Sequence, residues 1–476
     1  MLSTEMFLEI EKKYDLYNEQ IEGCNFWIYS RFAIWENYIR GPKQGIEIIN
    51  RTPKIKNKLK TFFQLGKTYF FQGNIPTKKV DVCFLSHERR YFEDGIYKCM
   101  YTELLSDYFS NNIILEKPYL YNHFKPIACK NVIYTDRASI NGELERLFNK
   151  NILKKRYKEI LNKIYEKICD PICELSKAYN VTIDIDSVVT LIAKKIFSYK
   201  GKYNYFKSVL DKTQPKIIVE VVSYAMDCMM INELAAERGI TTIELQHGQI
   251  AEWHIAYRYN KDVMVKQLPT KVFMFSDFAK KYIDLPIPDS NLVSVGYPYF
   301  EKMKKKYEKK SKSNKIGILF ISQKEIGKEL SKIAMEIYKS LPKDKYYIIY
   351  KLHPSEFENW KSNYPCLSET NIKVIDNKNC NLYECFAESD IQVGVCSTGL
   401  YEGLGFGLRT YIYKHPLSEG VRLLCQEGYA QYFDDYKELL CLMEGTNDKK
   451  LVEGIWKENA LQNIIEEIQR EINING

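Results

Sequence analysis

No run of apolar residues in this 476-residue chain approaches the ~20 needed to cross a bilayer, so no membrane-spanning helix is expected. The opening stretch, MLSTEMFLEIEKKYDLY, is charged throughout and lacks the apolar core of a signal peptide; the expected location is therefore cytoplasmic. Thirteen cysteines are present, but no two form a C-x-x-C pair and their spacing is irregular. That excludes a disulfide framework or a zinc finger as readings and leaves single, buried thiols. A net charge of +8 comes without a nucleic-acid-reading motif. Its lysine runs, such as Lys302 to Lys315, read as solvated surface with a general attraction to anions. Glycine is missing between Gly142 and Gly201, where basic, periodic sequence (LKKRYKEILNKIYEKI, then DSVVTLIAKKIFSYKG) predicts helix.

Short buried-strand runs alternating with helical segments make up most of what is there. VDVCFLS, NNIILE and NVIYTD come first, then KIIVEVV, a helix closed by Gly239, TTIEL, KVFMFS and NLVSVG. After the lysine-rich segment the pattern restarts with KIGILFISQ, a helix from Gly327 to Leu341, YYIIYKL, NIKVID and IQVGV. A strand, a helix and a parallel strand are the units of a doubly wound sheet. The expected fold class is α/β, with two Rossmann-like domains and a helical insertion in the first. The boundaries read as an N-terminal helical and aromatic region at 1–75, a first domain at 76–301 with a helical hairpin inserted at 140–212, a linker at 302–315, a second domain at 316–445 and a terminal helix at 446–476. Within the first region, NFWIYSRFAIWENYIR is expected to pack as a helix on its neighbours, with a membrane-interface position as the alternative.

Chemistry is expected outside the carboxyl ends of the strands, where open parallel sheets bind ligands. In the second half YYIIYKL runs out into His353-Pro354, and IQVGV turns through Cys396-Ser397-Thr398-Gly399 into a helix. Free backbone N–H groups, the helix dipole and hydroxyls meet there, an arrangement suited to phosphate. Glu402, one helical turn on, is placed to reach a ribose hydroxyl, and Gln323 lies past the FIS strand for the same pocket. The bland readings are a plain N-cap for Ser397-Thr398 and a turn for His-Pro. A second dipeptide, His415-Pro416, shows how readily the pair occurs. In the first half, VDVCFLS ends in His87, Glu88, Arg89 and Arg90, followed by Glu93-Asp94-Gly95, and TTIEL ends in Gln246-His247-Gly248. Histidine there suits a general base, and the glycine leaves room for a substrate.

Two doubly wound halves with ligand groups at strand ends resemble the GT-B arrangement of glycosyltransferases. His353-Pro354 followed by Ser397-Thr398 resembles the paired His-Pro and Ser/Thr motifs of bacterial GT-B sialyltransferases, Kdo transferases of capsule assembly and the CDP-glycerol glycerophosphotransferases that polymerise teichoic acids. The resemblance implies that these residues hold the phosphates of a cytidine-linked donor. Gln246-His247-Gly248 is similar to the His-Gly motif of the teichoic acid polymerases, which implies His247 as base. Glu93-Asp94-Gly95 matches the acidic motif of the sialyltransferases, which implies Asp94 instead. The likeness runs over residues 80–440 in order, rests on few residues in detail and does not reach the helical insertion.

The expected activity is transfer of a sugar from a nucleotide-activated donor, CMP- or CDP-linked, to a hydroxyl of a bacterial surface polysaccharide. The alternatives are transfer of a polyol phosphate, epimerisation of a sugar nucleotide, which a Ser-Gly-Gly turn would favour over Ser397-Thr398-Gly399, and non-enzymatic binding of a polyanion. No cofactor is called for beyond the donor as substrate. No metal ligand set is assigned, Asp-X-Asp included, and metal-independent transfer is expected. The expected partners are a nucleotide sugar and an oligosaccharide or lipid-linked acceptor, with peripheral contact to the inner face of the cell membrane left open and no nucleic acid.

Overall fold

The computed structural model describes residues 3–43, 66, 69, 75–118, 123–127, 131–307, 314–377, 380–445 and 454–474. They fall into two units. The first takes in the described residues up to Phe275, Lys280–Pro298 and the C-terminal helix. The second takes in Ser276–Ala279 and Tyr299–Glu458.

The first unit contains β1 (Val82–Leu85), a hairpin of β2 (Arg90–Glu93) and β3 (Ile96–Cys99), then β4 (Asn112–Glu116), β5 (Val132–Tyr134), β6 (Ile217–Val221), β7 (Thr241–Leu245), β8 (Lys271–Met274) and β9 (Leu292–Ser294). Seven of these form one sheet in the order β5-β4-β1-β6-β7-β8-β9, every neighbouring pair parallel. Parallel strands covered on both faces need near-continuous apolar sequence, and β1 (VCFL) and β6 (IIVEV) are buried at every position. The chain builds outward from β1 to β5, then returns to the other side of β1 and continues from β6. That reversal leaves a switch point between β1 and β6, outside whose carboxyl ends a crevice opens.

The second unit repeats the plan with β10 (Ile316–Ile321), β11 (Tyr346–Lys351), β12 (Lys373–Ile375), β13 (Ile391–Gly394), β14 (Arg409–Tyr413) and β15 (Gln431–Phe433). Their order is β12-β11-β10-β13-β14-β15, again parallel throughout. Its switch point lies between β10 and β13. Both units are thus Rossmann-like α/β sheets, the expected fold class.

The connection from β5 to β6 holds the helical insertion, and here the hairpin expectation is corrected. Three helices fill it, Asp136–Asn151, Lys154–Tyr179 and Ile185–Thr213. The middle helix buries Ile160, Ile164, Ile168, Ile172 and Leu175, one face at helical spacing. Asn180 in the left-handed region (φ 48°) ends it, and Asp184 caps the next helix by accepting from the Ser187 N–H at 3.2 Å. A Cβ on Gly201 would sit 2.5 Å from the Asn141 carbonyl oxygen, so only glycine permits the first helix to cross the third this closely.

The aromatic N-terminal segment is a helix, Phe26–Ile34, continued as a π-helix over Trp35–Arg40. Phe26, Trp27, Tyr29 and Trp35 are buried, which overturns the membrane-interface alternative for this segment. The cause is Arg31, fully buried, whose guanidinium meets Glu11 at 2.7 Å and donates to the carbonyls of Ile255 and Arg258. The boundary drawn at Lys302 also moves. Residues up to Tyr307 belong to the helix Pro298–Tyr307, anchored by Tyr299, Phe300 and Met303, and 308–313 lie outside the described residues. At the other end, the expected helix from 446 begins at Ala460 and runs to Ile474. It packs on the first unit, with Lys271 against Glu471 at 2.5 Å and Asn463 donating to the Val295 carbonyl; 446–453 lie outside the described residues. Among the cysteines, Cys169, Cys173 and Cys441 are exposed, a correction to the expectation of buried thiols.

Candidate functional site

The first unit's switch point gathers an imidazole and phenol cluster. β1 delivers His87, the turn after β6 delivers Ser223 and Tyr224, and β7 delivers Gln246, His247 and Gly248. Val222 opens the turn after β6 at φ 62°, a conformation costly for a β-branched residue. It redirects the chain so that both Ser223 groups meet Glu244, N–H at 3.1 Å and hydroxyl at 2.7 Å. Gln246 is buried and fixes the end of β7, accepting from the Phe275 N–H at 2.7 Å and donating to the Gly248 carbonyl at 2.8 Å. The His247 carbonyl is held by two donors, Arg89 Nη1 at 2.8 Å and the Tyr101 hydroxyl at 2.7 Å. Its Nε2 lies 3.2 Å from the Tyr224 hydroxyl, while Nδ1 is buried without a hydrogen-bond partner. The His87 ring centroid is 6.0 Å away, and His87 Nδ1 accepts from the Arg89 N–H at 3.0 Å.

The back wall comes from the N-terminal aromatic segment, a contribution the sequence reading missed. Phe32 packs at 4.5 Å on Tyr224 and stacks at 5.5 Å on His254. Trp253 stacks on His254's ring at 5.5 Å, and Arg40 sits 4.2 Å over Trp253. These surroundings keep the imidazoles neutral. Burial first, then the Arg89 charge, pushes His87 down to about 3. Burial, helped by Arg40, pushes His254 down to about 3. His247 is likewise held well below its usual 6.5, by burial and then by His87, Arg89 and His254. Behind the cluster, Glu220 and Glu244 stand in register on β6 and β7. Burial raises both, Glu220 to about 8.

Other sequence candidates from the first unit take structural positions. Arg90 faces inward, pairing with Glu103 at 2.6 Å and Glu116 at 3.0 Å with a side chain only 1% exposed, so it is not a cleft cation. Glu93-Asp94-Gly95 forms the tip of the β2–β3 hairpin, with Asp94 and Gly95 both at positive φ, 52° and 78°. Asp-Gly is the pair that a tight two-residue hairpin turn demands, which explains the motif without a ligand. Glu93 pairs with Lys98 at 3.3 Å, and Asp94 is exposed. His123, not singled out by sequence, bridges Glu116 at 2.9 Å and Asp136 at 2.8 Å. Burial acts to lower its pKa, but these two carboxylates raise it overall. One Asp-X-Asp is present in the sequence, Asp184-Ile185-Asp186; it is the helix cap described above and lies at neither sheet's carboxyl edge.

In the second unit, the switch point joins Gln323 to the turn after β13. The Gln323 side-chain oxygen accepts from the Cys396 N–H at 3.1 Å, so it braces the turn that leads to Ser397 and Thr398. Ser397 is the N-cap of the helix Thr398–Gly405, its hydroxyl oxygen accepting from the Gly399 N–H at 3.1 Å. Glu402 lies one turn into that helix. His353 is exposed at the end of β11 and caps the short turn Pro354–Glu356, Nδ1 accepting from the Ser355 N–H at 3.2 Å. His415 does the same after β14, accepting from the Leu417 N–H at 3.1 Å, so the dipeptide is a turn device in both places. What sets His353 apart is Glu356, which sequence reasoning passed over. This buried carboxylate accepts from the His353 N–H at 2.7 Å, the Tyr364 hydroxyl at 2.6 Å and the Ser322 hydroxyl at 3.0 Å.

Three solved structures similar to this chain are UDP-GlcNAc 2-epimerase from Methanocaldococcus jannaschii (11% identity, 82% of this chain and 99% of that one, TM-score 0.48), the wall teichoic acid polymerase TagF (12%, 88% and 96%, 0.41) and MurG from Acinetobacter baumannii (14%, 58% and 79%, 0.40). No family model and no curated protein matches. At such low identity these likenesses assign no residue a role.

Proposed function

We propose that the chain transfers a glycosyl group from a nucleotide-activated donor to an acceptor hydroxyl in surface polysaccharide synthesis. The observation that carries this reading is the second unit's switch point, where Gln323 braces a strand-to-helix turn bearing Ser397, Thr398 and the first N–H groups of the helix Thr398–Gly405. Such a helix start favours phosphate, and the donor diphosphate or monophosphate is assigned to it together with His353. The acceptor's base is assigned to the first unit. In the reaction the acceptor oxygen forms a bond to the anomeric carbon as the bond from that carbon to the phosphate oxygen breaks. The nucleotide leaves with its charge facing the helix N-terminus, and the hydroxyl proton passes to His247. His247 is neutral and so keeps a free electron pair, which becomes available at Nε2 when the acceptor hydroxyl displaces Tyr224.

A thermal-shift series with CMP, CDP, UDP and GDP tests the donor assignment, since a ligand at a hundred times its Kd adds about 2.7 kcal/mol. The expected result is a shift with one nucleotide that is lost in Thr398→Ala and His353→Ala. No shift with any nucleotide overturns the reading. Rearrangement of the sugar nucleotide without acceptor would point to an epimerase instead.

A further inference from the structure

The outer part of the helix Asp136–Asn151 carries Leu144, Leu147 and Phe148, and the corner that follows carries Ile152. Their exposures are 57%, 39%, 52% and 67%. Their spacing puts them along one side of a helix, and they share a groove of about 630 Å³ with Gly201 and Asn204 of the helix Ile185–Thr213. The position is fixed, because the first helix is clamped to the third where Gly142 meets Gly201, and Tyr157 stacks on Phe197 at 4.7 Å just beyond the corner. Single apolar residues at a surface are ordinary, but a contiguous set beside an open groove marks a contact.

Charge decides the occupant. Residues 143–159 hold six basic side chains against three glutamates. Arg146 is paired with Glu143 and Arg156 with Glu22. Lys150, Lys154, Lys155 and Lys158 are exposed and make no ion pair among the described residues. We propose that this corner is a docking surface for an anionic phospholipid bilayer. Phe148 and Ile152 enter the boundary between headgroups and acyl chains, and the lysines meet lipid phosphates. A second copy of the chain would bring the same unpaired lysines against these ones, which opposes self-association. The aromatic segment at 26–40 cannot play this part because Phe26, Trp27, Tyr29, Ile34, Trp35 and Ile39 are buried in the first unit. The proposal uses no residue assigned to sugar transfer, so either reading can fail alone.

The test is co-sedimentation of the full chain with vesicles of equal parts phosphatidylglycerol and phosphatidylcholine, and with phosphatidylcholine alone. Binding is expected to the anionic vesicles only and to fall as salt rises. The Phe148→Asp/Ile152→Asp pair should weaken it by about tenfold or more. The Lys154→Glu/Lys155→Glu pair should weaken it by roughly fivefold per lysine. All four positions are at the surface, so an unchanged unfolding midpoint in each variant is part of the expected result. Absence of binding to anionic vesicles, or binding that survives both pairs of substitutions, overturns the proposal. So does a chain that is dimeric by light scattering and becomes monomeric in the Phe148→Asp/Ile152→Asp variant, which would assign the surface to a second copy.

Discussion

At the scale of single residues, the three histidines of the first unit's edge differ from His123 in sign, and the difference is measurable. His254 has an unfolded value of 6.5 and a folded one of about 3. Its contribution to stability is therefore complete above 6.5 and is lost as the pH falls from there toward 3. His123 is raised, so its contribution is present below 6.5 and is lost as the pH rises through its folded value. Chemical denaturation across this range should give a stability that declines below 6.5, less steeply in His254→Phe. For activity, neutral His247 predicts no acid limb of kcat/KM between about pH 7 and 6; a limb there would argue against it as base. His247→Ala should cut turnover by about 10²–10⁴-fold with nucleotide binding nearly unchanged. An active His247→Ala beside an inactive Asp94→Ala would move the base to the hairpin tip. Arg90→Ala should cost about 3–5 kcal/mol in urea unfolding, because it strands the buried Glu103 carboxylate and leaves Glu116 with His123 alone. A change in KM with stability intact would restore Arg90 to the cleft. His247 was legible because it follows a strand and precedes a glycine. Phe32 and Glu356 were not, since their partners become visible only once distant chain segments are folded together.

At the scale of elements, what looks like a binding motif is first a turn. His353 and His415 cap short turns with the same ring nitrogen, and Ser397 caps its own helix. Local sequence determines caps, so these positions could be read without the fold, whereas the Gln323 brace across the switch point could not. Ser397→Ala should cost about 1 kcal/mol of stability from the lost cap, whereas Thr398→Ala, which caps nothing, should weaken nucleotide binding with little change in the unfolding midpoint. The helix is also tied to the sheet by Gln392, whose amide donates to the Leu400 carbonyl and the Thr410 hydroxyl. A Cβ on Gly403 would sit 2.1 Å from the Gln392 side-chain oxygen. Gly403→Ala should therefore destabilise the second unit by about 1–3 kcal/mol, read as a lower midpoint in thermal unfolding.

At the scale of the whole molecule, alternation of strand and helix revealed two parallel α/β halves, because buried strands and amphipathic helices have different periods. The polar, periodic tail also read as a terminal helix able to pack back on the first half, whereas the third inserted helix could not be read that way. The helix Ala460–Ile474 belongs to the first unit although the whole second unit precedes it in sequence. It buries Ile464, Ile465 and Ile468. Ending the chain after Glu458 should thus lower the first unit's unfolding midpoint and leave the second unit's transition in place. Equal loss in both transitions would count against this division. The same arrangement orders events on the ribosome. Synthesis is vectorial, and domains generally fold as their residues emerge. The second unit's residues 299–458 are all available before the first unit can close. The half translated first is therefore the half finished last, and through that interval the side of β6 on which the terminal helix packs waits uncovered, an apolar surface that a chaperone would find.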